Sequence, residues 1–398
     1  MHLFGRRAAP WVFAVEPTGI QLTWSEQGPD VARARAGATV VDLDDRSGPG
    51  SVELGSLPAG SLIEVALERR DGSVAWRQAA RTPAPPPGAE LFRFATISDM
   101  HLGESHFGYR GTIVEEQPHD EVYSVRAARA AMVEMTDWGA ALIVVKGDVT
   151  EGGRAEQWDA FGALVDAAVP PVMATPGNHD GIEDLPPSRW RRLLEPSEVP
   201  SIRAGITPSE GLQRVGLGSA GRVQVRDVPS LRIVLVDTTI THRRTGQIAG
   251  MTDEIVSAVR DARGPVWVGL HHQLQDTWVP RYLPPGIARN ESRRFLDQLV
   301  AANPAVLVTA GHTHRHRRRR HGTAVLTEVG STKDYPGTWA GYVVHEGGIR
   351  QVVHRIAAPD LLAWTDRSAD AALGLWGHWS PGSLHARCFS HTWPTTGF

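Results

Sequence analysis

The sequence predicts a small β-sandwich followed by a larger α/β domain. Residues 1–85 alternate apolar and polar side chains in short runs, such as 20–24 and 62–67, with Gly, Pro and Asp turns between them. A proline-rich stretch over 82–88 then indicates a stiff linker. Beyond it, short apolar strands alternate with amphipathic helices, which is typical of sheets covered by helices.

In order along the chain, we expect a β-sandwich over 1–85, a linker over 86–90, an α/β domain over 91–356 and an extension over 357–398. The strands predicted in the α/β domain are 91–97, 142–145, 171–174, 231–236, 266–270 and 305–308. The predicted helices are 120–138, 156–168, 253–260 and 291–299. The extension contains Trp364, Trp376, Trp379 and Trp393, and aromatic side chains in that number need a surface to pack against.

Composition excludes several classes of protein. The 398 residues correspond to two or three domains at about 150 residues each. The formal charge of −3 argues against a surface devoted to nucleic acid or acidic membrane. One cysteine, Cys388, is typical of a reducing compartment, and no stretch approaches the roughly 18 apolar residues that span a bilayer. We therefore expect a cytoplasmic protein with no membrane partner.

Five predicted strands run into residue types that bind metal ions. The carboxyl ends of the strands in an open α/β sheet meet at one edge, so these side chains are expected to converge. They supply seven or eight nitrogen and oxygen donors and no sulfur. The clusters are Asp99 with His101, Asp148, Asn178, His271 with His272, and His312 with His314.

Taken in order, the motifs resemble those of the calcineurin-like metallophosphoesterase superfamily. The matching segments are Ser-Asp-Met-His at 98–101, Lys-Gly-Asp-Val-Thr-Glu-Gly at 146–152, Gly-Asn-His-Asp at 177–180, Leu-His-His at 270–272 and Gly-His-Thr-His at 311–314. The resemblance covers roughly 91–356 and implies an αββα sandwich with a dinuclear metal centre. The first domain resembles the fibronectin type III-like module that precedes some members.

The resemblance also implies a role for each motif residue. One metal ion would be bound by Asp99, His101 and His314, the other by Asn178, His271 and His312, and Asp148 would bridge them. His272 would lie outside the ligand set. Carboxylates and imidazoles suit two divalent or mixed-valence ions of Mn, Fe, Zn or Co. Such a pair would generate a metal-bound hydroxide that attacks phosphorus.

Two further residues are implied in catalysis. His179 would contact a phosphate oxygen or protonate the leaving alkoxide. Asp180 would either fix the tautomer of that imidazole or cap a helix, and the sequence leaves both roles open. The tyrosine that follows Gly-Asp in purple acid phosphatases is absent after Asp148. The closer resemblance is therefore to the class III cyclic nucleotide and glycerophosphodiester phosphodiesterases.

We expect an enzyme that hydrolyses small-molecule phosphodiesters, of the cyclic nucleotide or glycerophosphodiester type. A phosphomonoesterase acting on nucleotides or sugar phosphates is the alternative, and a non-catalytic metal-binding interaction module is a third reading. Residues 315–321 read Arg-His-Arg-Arg-Arg-Arg-His, which is either a solvated strand edge or a surface that attracts anionic substrate. A nuclease is disfavoured, because no broad basic surface is interleaved with aromatic residues.

Overall fold

The computed structural model describes residues 9–25, 30–43, 48–108, 113–115, 120–181, 205–218, 221–240, 243–276 and 284–394. Its N-terminal part consists of two antiparallel sheets, ordered β1-β2-β5 and β4-β3-β6-β7. The strands are β1 (Trp11–Val15), β2 (Ile20–Trp24), β3 (Val31–Ala36), β4 (Thr39–Asp42), β5 (Gly50–Leu54), β6 (Leu62–Arg69) and β7 (Val74–Arg81). Alternating side chains such as Ile63 and Val65 point into a shared core.

Two six-stranded sheets form the rest of the molecule, ordered β12-β11-β8-β19-β20-β21 and β13-β14-β15-β16-β18-β17. Their strands, with the two-stranded ribbon β9–β10, are β8 (Glu90–Ile97), β9 (His106–Phe107), β10 (Ile113–Val114), β11 (Ile143–Lys146), β12 (Val172–Thr175), β13 (Val223–Val228), β14 (Leu231–Val236), β15 (Val266–Leu270), β16 (Val306–Ala310), β17 (Arg317–His321), β18 (Ala324–Glu328), β19 (Thr338–His345), β20 (Gly348–Arg355) and β21 (Phe389–Thr392). The six strands predicted from sequence in this region are β8, β11, β12, β14, β15 and β16.

The described residues include eight α-helices. They are α1 (Tyr123–Asp137), α2 (Ala155–Ala167), α3 (Pro208–Arg214), α4 (Thr252–Arg260), α5 (Arg289–Ala302), α6 (Pro359–Ser368), α7 (Leu375–Trp379) and α8 (Leu384–Arg387). The first sheet packs against α1 and α2, and the second against α4 and α5. No helix within the described ranges is long and apolar enough to cross a bilayer.

The two sheets pack face to face through an aromatic core. The ring of Phe94 in β8 lies 5.3 Å from that of Trp267 in β15 and 4.8 Å from that of Tyr342 in β19. The layers therefore run helix, sheet, sheet, helix, which confirms the predicted αββα sandwich. Strands β12, β11 and β8 are mutually parallel, as are β14, β15, β16 and β18. Both sheets consequently present carboxyl strand ends at one rim.

Residues after Arg355 are integrated into the body of the fold. Strand β21 pairs with β20 and forms the edge of the first sheet. Trp364 and Trp393 are buried, whereas Trp379 is 51% exposed. The N-terminal sandwich is joined to the same sheet by Gln21, whose side chain donates to the carbonyl of Arg355 at 2.7 Å and accepts from its amide at 2.8 Å.

Candidate metal centre

All seven residues implied as metal ligands converge at this rim. From the first sheet, Asp99 and His101 follow β8, Asp148 follows β11 and Asn178 follows β12. From the second sheet, His271 follows β15, and His312 and His314 follow β16. The two sheets meet where Asp99 Oδ1 lies 3.3 Å from His314 Nε2.

The strands end in an unusual backbone conformation. Five of these seven residues have left-handed φ angles between 46° and 68°, namely Asp99, His101, Asp148, His312 and His314. Each such position costs on the order of 1–3 kcal/mol for a residue other than glycine. Hydrogen bonds between the loops hold them in place: the His312 amide donates to Asp99 at 2.9 Å, and the His179 amide donates to Asp148 Oδ1 at 2.8 Å.

Glycine is required where the loops approach most closely. Gly147 has a φ of +84°, and a Cβ there would lie 2.6 Å from His271 Nδ1. Any larger residue would therefore displace the imidazole or the loop that carries Asp148. This is the physical reason for Gly-Asp in the second motif.

The donor atoms form two groups that share one carboxylate oxygen. In the first, His101 Nε2 lies 3.3 Å from His314 Nε2 and 3.7 Å from Asp148 Oδ2. In the second, His271 Nε2 lies 3.2 Å from each of Asp148 Oδ2, Asn178 Oδ1 and His312 Nδ1. Ligands about 2.0–2.2 Å from one cation lie about 3–3.5 Å from each other. Both groups therefore fit a metal ion, and Asp148 Oδ2 is placed to serve both.

The outer nitrogen of each ligand imidazole has an acceptor. His101 Nδ1 lies 2.6 Å from Glu151 Oε2, and His314 Nδ1 lies 2.6 Å from Asp334 Oδ1. His271 Nδ1 lies 2.8 Å from the carbonyl oxygen of Lys146, and His312 Nε2 lies 3.3 Å from that of Pro285. These acceptors fix the ring orientation and leave the inner nitrogen available to a cation.

Electrostatics favour the ligand forms of Asp148 and His312, whereas nearby carboxylates outweigh burial and raise the pKa of His271 and of His314. Burial alone would raise the pKa of Asp148, but the charges of His271 and His179 hold it well below its usual range. Burial and the neighbouring His271 lower the pKa of His312 to about 3, so this ring is neutral at physiological pH. An ionised carboxylate beside neutral imidazole is the donor set that first-row transition metals prefer.

Glu151 is the carboxylate that lies against His179. Its Oε2 is 3.0 Å from His179 Nδ1 and 2.6 Å from His101 Nδ1, so one side chain contacts both rings. The sequence analysis offered Asp180 for this role. Instead, the Asp180 carboxylate accepts from the amides of Val149, Thr150 and Gly177 at 2.7–3.1 Å. The Asp180 carboxylate thus ties the loop after β11 to the turn at Gly177, and Glu151, a residue that sequence reasoning missed, makes the contact with His179.

The arginine-rich run lies outside the donor groups, whereas His272 borders the second group, because one of its ring nitrogens lies within 4.8 Å of the ligand nitrogens of His271 and His312. His272 Nδ1 contacts Thr238 Oγ1 at 2.8 Å, although its ring centroid is only 4.7 Å from that of His312. Residues 317–321 form the edge strand β17, where Arg319 pairs with Asp276 and with Glu328. The run contributes to a separate cavity of about 540 Å³. The described lining of the metal-site cleft contains none of its residues.

The cleft above the donor groups has a volume of about 570 Å³. Several lining residues come from segments outside the metal-ligand motifs, among them Phe107, Arg244, Pro285, Lys333 and Trp376. The Lys333 ammonium pairs with Glu104. Trp376 belongs to α7 in the C-terminal extension, so the extension contributes to the cleft wall.

Comparisons with known proteins identify the family of this chain. The family model described as calcineurin-like phosphoesterase matches residues 92–316, whereas no curated protein matches the chain. Among solved structures, purple acid phosphatase PPD1 from yellow lupin (Lupinus luteus) is 14% identical, with a TM-score of 0.47 over 88% of this chain and 73% of that one. A structure of PhoD is 11% identical, with a TM-score of 0.41 over 86% and 85%.

Phosphopantetheinyl hydrolase from Mycobacterium tuberculosis is 13% identical, with a TM-score of 0.35 over 61% of this chain and 91% of that one. The family match covers more than half of the 398 residues. The conclusion rests on this match together with the two donor groups. The protein belongs to the calcineurin-like phosphoesterase family, and its cofactor is a dinuclear metal centre.

Proposed function

We propose that this protein hydrolyses small-molecule phosphodiesters at the metal centre. The observation that carries the proposal is the convergence of the seven donor side chains beneath a cleft of about 570 Å³. Asp99, His101 and His314 would bind one cation, Asn178, His271 and His312 the other, with Asp148 shared. When bound, the cations supply an activated water and neutralise the charge that develops on the phosphoryl oxygens.

His179 is proposed as the group that protonates the leaving alkoxide. It lines the cleft, and its side chain is 23% exposed, so a substrate can reach it. Because Glu151 lies against Nδ1, Nε2 is the nitrogen left to hold or release a proton. Glu151 also contacts His101, and it therefore positions a metal ligand and the proton donor together.

The surroundings of the two donor groups support a diester over a monoester. The rings of Pro284 and Pro285 line the cleft where the Pro285 backbone reaches His312 of the second group, and the ring of Trp376 lies 6.2 Å from that of His314 in the first. Apolar side chains thus flank both groups, which suits a phosphate with an organic substituent on each side.

A phosphomonoesterase is the second candidate, because Lys333 and Arg244 also line the cleft. Cationic side chains favour the dianion of a phosphomonoester. The pairing of Lys333 with Glu104 offsets part of that charge.

Turnover of bis(p-nitrophenyl) phosphate and p-nitrophenyl phosphate in Mn²⁺, measured beside elemental analysis, tests the proposal. Two metal ions per chain and a higher kcat/KM for the diester would support it. Two metal ions and a higher kcat/KM for the monoester would identify a phosphatase. Failure to bind metal or to turn over either ester after reconstitution would favour the non-catalytic interaction module.

A cytoplasmic location is part of the proposal. The single cysteine, Cys388, is buried, and its Sγ accepts a 3.4 Å hydrogen bond from the amide of Val15. The chain therefore has no intramolecular disulfide that would require an oxidising compartment. Fractionation of cells that express the full chain tests this, and recovery outside the cytoplasm would contradict it.

A further inference from the structure

We propose that Trp376 and Phe107 form a subsite for a planar aromatic group of the substrate. This inference rests on the proposed function and makes it more specific. Such a subsite would favour phosphodiesters that carry an aryl or nucleobase substituent over phosphodiesters that carry only glycerol-like substituents. The first observation is that both rings line the metal-site cleft and are half-buried.

The two rings form one apolar corner beside the first donor group. Their centroids are 5.7 Å apart with the planes inclined at 55°, and the Trp376 ring is 6.2 Å from that of the metal ligand His314. The Lys333 ammonium lies 5.4 Å from the Phe107 ring centroid. A substituent of a phosphate bound at the centre would therefore meet aromatic surface on this side.

Trp376 is fixed in place by the network that positions His314. Its indole N–H donates to Asp334 Oδ2 at 2.9 Å, while Asp334 Oδ1 lies 2.6 Å from His314 Nδ1. Asp334 itself is fully buried. A ring held in this way loses little conformational freedom when a ligand packs on it, so it offers a preorganised surface.

The backbone before Trp376 forms the lip of the same corner. Ala372, Leu373 and Gly374 have successive left-handed φ angles of 53°, 61° and 86°, a combination that is strained for the first two. Ala371 and Ala372 line the cleft, and Leu373 is 60% exposed. The small alanines leave space beside the indole, and the apolar character extends from the ring to the rim.

The chemistry of this corner discriminates between substituents. A planar aromatic group gains contact with both rings, and loss of one stacking partner weakens binding roughly tenfold to a hundredfold. A glycerol group would lose water from its hydroxyls here and gain no hydrogen-bonding partner from the rings. We therefore expect aromatic diesters to bind more tightly than aliphatic ones.

Calorimetric binding of diphenyl phosphate and diethyl phosphate to the metal-loaded protein tests this inference. Wild type should bind diphenyl phosphate at least tenfold more tightly. Trp376→Leu should remove most of that preference, because the affinity for diphenyl phosphate should fall much further than the affinity for diethyl phosphate. Trp379→Leu is the matched control, because Trp379 lies in the same helix and lines the other cavity; it should keep the full preference.

Two more variants separate the ring from its hydrogen bond. Phe107→Leu leaves the bond from Trp376 to Asp334 intact and should still reduce the preference, even if Trp376→Leu misfolds. Trp376→Phe should retain the preference while lowering kcat, because Asp334 loses a donor. Equal affinity of wild type for both probes, or an unchanged preference in Phe107→Leu and Trp376→Leu, would overturn the subsite. Absence of bis(p-nitrophenyl) phosphate turnover by wild type would instead overturn the proposed function.

Discussion

An ion pair between the N-terminal sandwich and the first large sheet can be tested by the variant His354→Gln. In β20, His354 Nε2 lies 3.2 Å from Glu16 Oε1, and Nδ1 lies 3.5 Å from Glu53 Oε1. The ring is buried and stacks on Trp339 at 4.4 Å. Burial lowers the pKa of His354, but hydrogen bonding and charge from the two glutamates raise it to about 10.

The stabilisation by His354 can be calculated from the difference between the pKa of its imidazole in the folded protein and in the unfolded protein. The imidazole pKa is about 10 in the fold and 6.5 as the ordinary value. Since a tenfold change in proton affinity is worth about 1.36 kcal/mol, protonated His354 contributes up to about 5 kcal/mol. Removing one partner from a buried ion pair costs about 3–5 kcal/mol, which agrees.

The direction of each pKa shift determines the pH range in which the ion pair stabilises the fold. A raised histidine pKa gives its full stabilisation below pH 6.5, and this is lost as the pH rises through about 10. Burial opposes ionisation of Glu16, but His354 lowers its pKa from 4.5 to about 2. The glutamate therefore stabilises the fold above pH 4.5 and loses this effect as the pH falls through about 2. The pKa shifts of His354 and Glu16 arise from the same ion pair, so their contributions to the free energy of unfolding are not added together.

Equilibrium urea unfolding at fixed metal concentration measures the effect. We expect His354→Gln to lower the free energy of unfolding by about 3–5 kcal/mol at pH 6 and by about 1 kcal/mol at pH 9.5. Glu53→Gln is the control: its side chain is 53% exposed, and the loss should stay below about 1 kcal/mol. A loss for His354→Gln that does not change between pH 6 and 9.5 would refute the reasoning.

Three predictions concern the cleft. Asp148→Asn should lower metal content and turnover together in elemental analysis and kinetics, and two retained metal ions with full activity would contradict the shared role. Glu151→Gln should weaken metal affinity about 10–100-fold through His101, whereas His179→Ala should keep the metal and slow turnover about 10²–10⁴-fold; metal titration beside kcat distinguishes them. Arg318→Gln should leave kcat/KM unchanged at low and high salt, because Arg318 does not line the cleft; a salt-dependent loss would show that it attracts substrate.

The convergence of the candidate metal ligands could be predicted because each motif joins a short apolar strand to a polar loop. Asp99 and His314 are 215 residues apart in the sequence, yet the strands before them end at the same rim, and their side chains approach to 3.3 Å. The alternation of strands and helices was enough to predict this rim. His271 contacts Asp148 at 3.2 Å, and the choice of His271 over His272 as the metal ligand stays a prediction, because His272 lies in the same cluster.

Other features depend on contacts that the local sequence does not encode. The hairpin β19–β20 is not among the predicted strands, in part because Gly341 weakens the strand pattern; in the fold, the ring of Trp138 occupies the space that a side chain would need. In the sequence, Trp376 cannot be distinguished from the other aromatic residues of the extension, because its position in the cleft depends on a tertiary contact with Asp334. Whether Glu151 reaches His179 depends on a turn through Gly152 and Gly153, both with left-handed φ.

The left-handed ligand residues have a consequence for anyone who transplants this centre onto another scaffold. A graft that copies only the side chains onto regular strand ends would aim the donors of Asp99, Asp148 and His312 in the wrong directions, because their φ angles lie between 48° and 68°. The recipient must also reproduce the loops and offset on the order of 1–3 kcal/mol for each position. A successful design therefore starts from the backbone of the strand ends and adds the donor set afterwards.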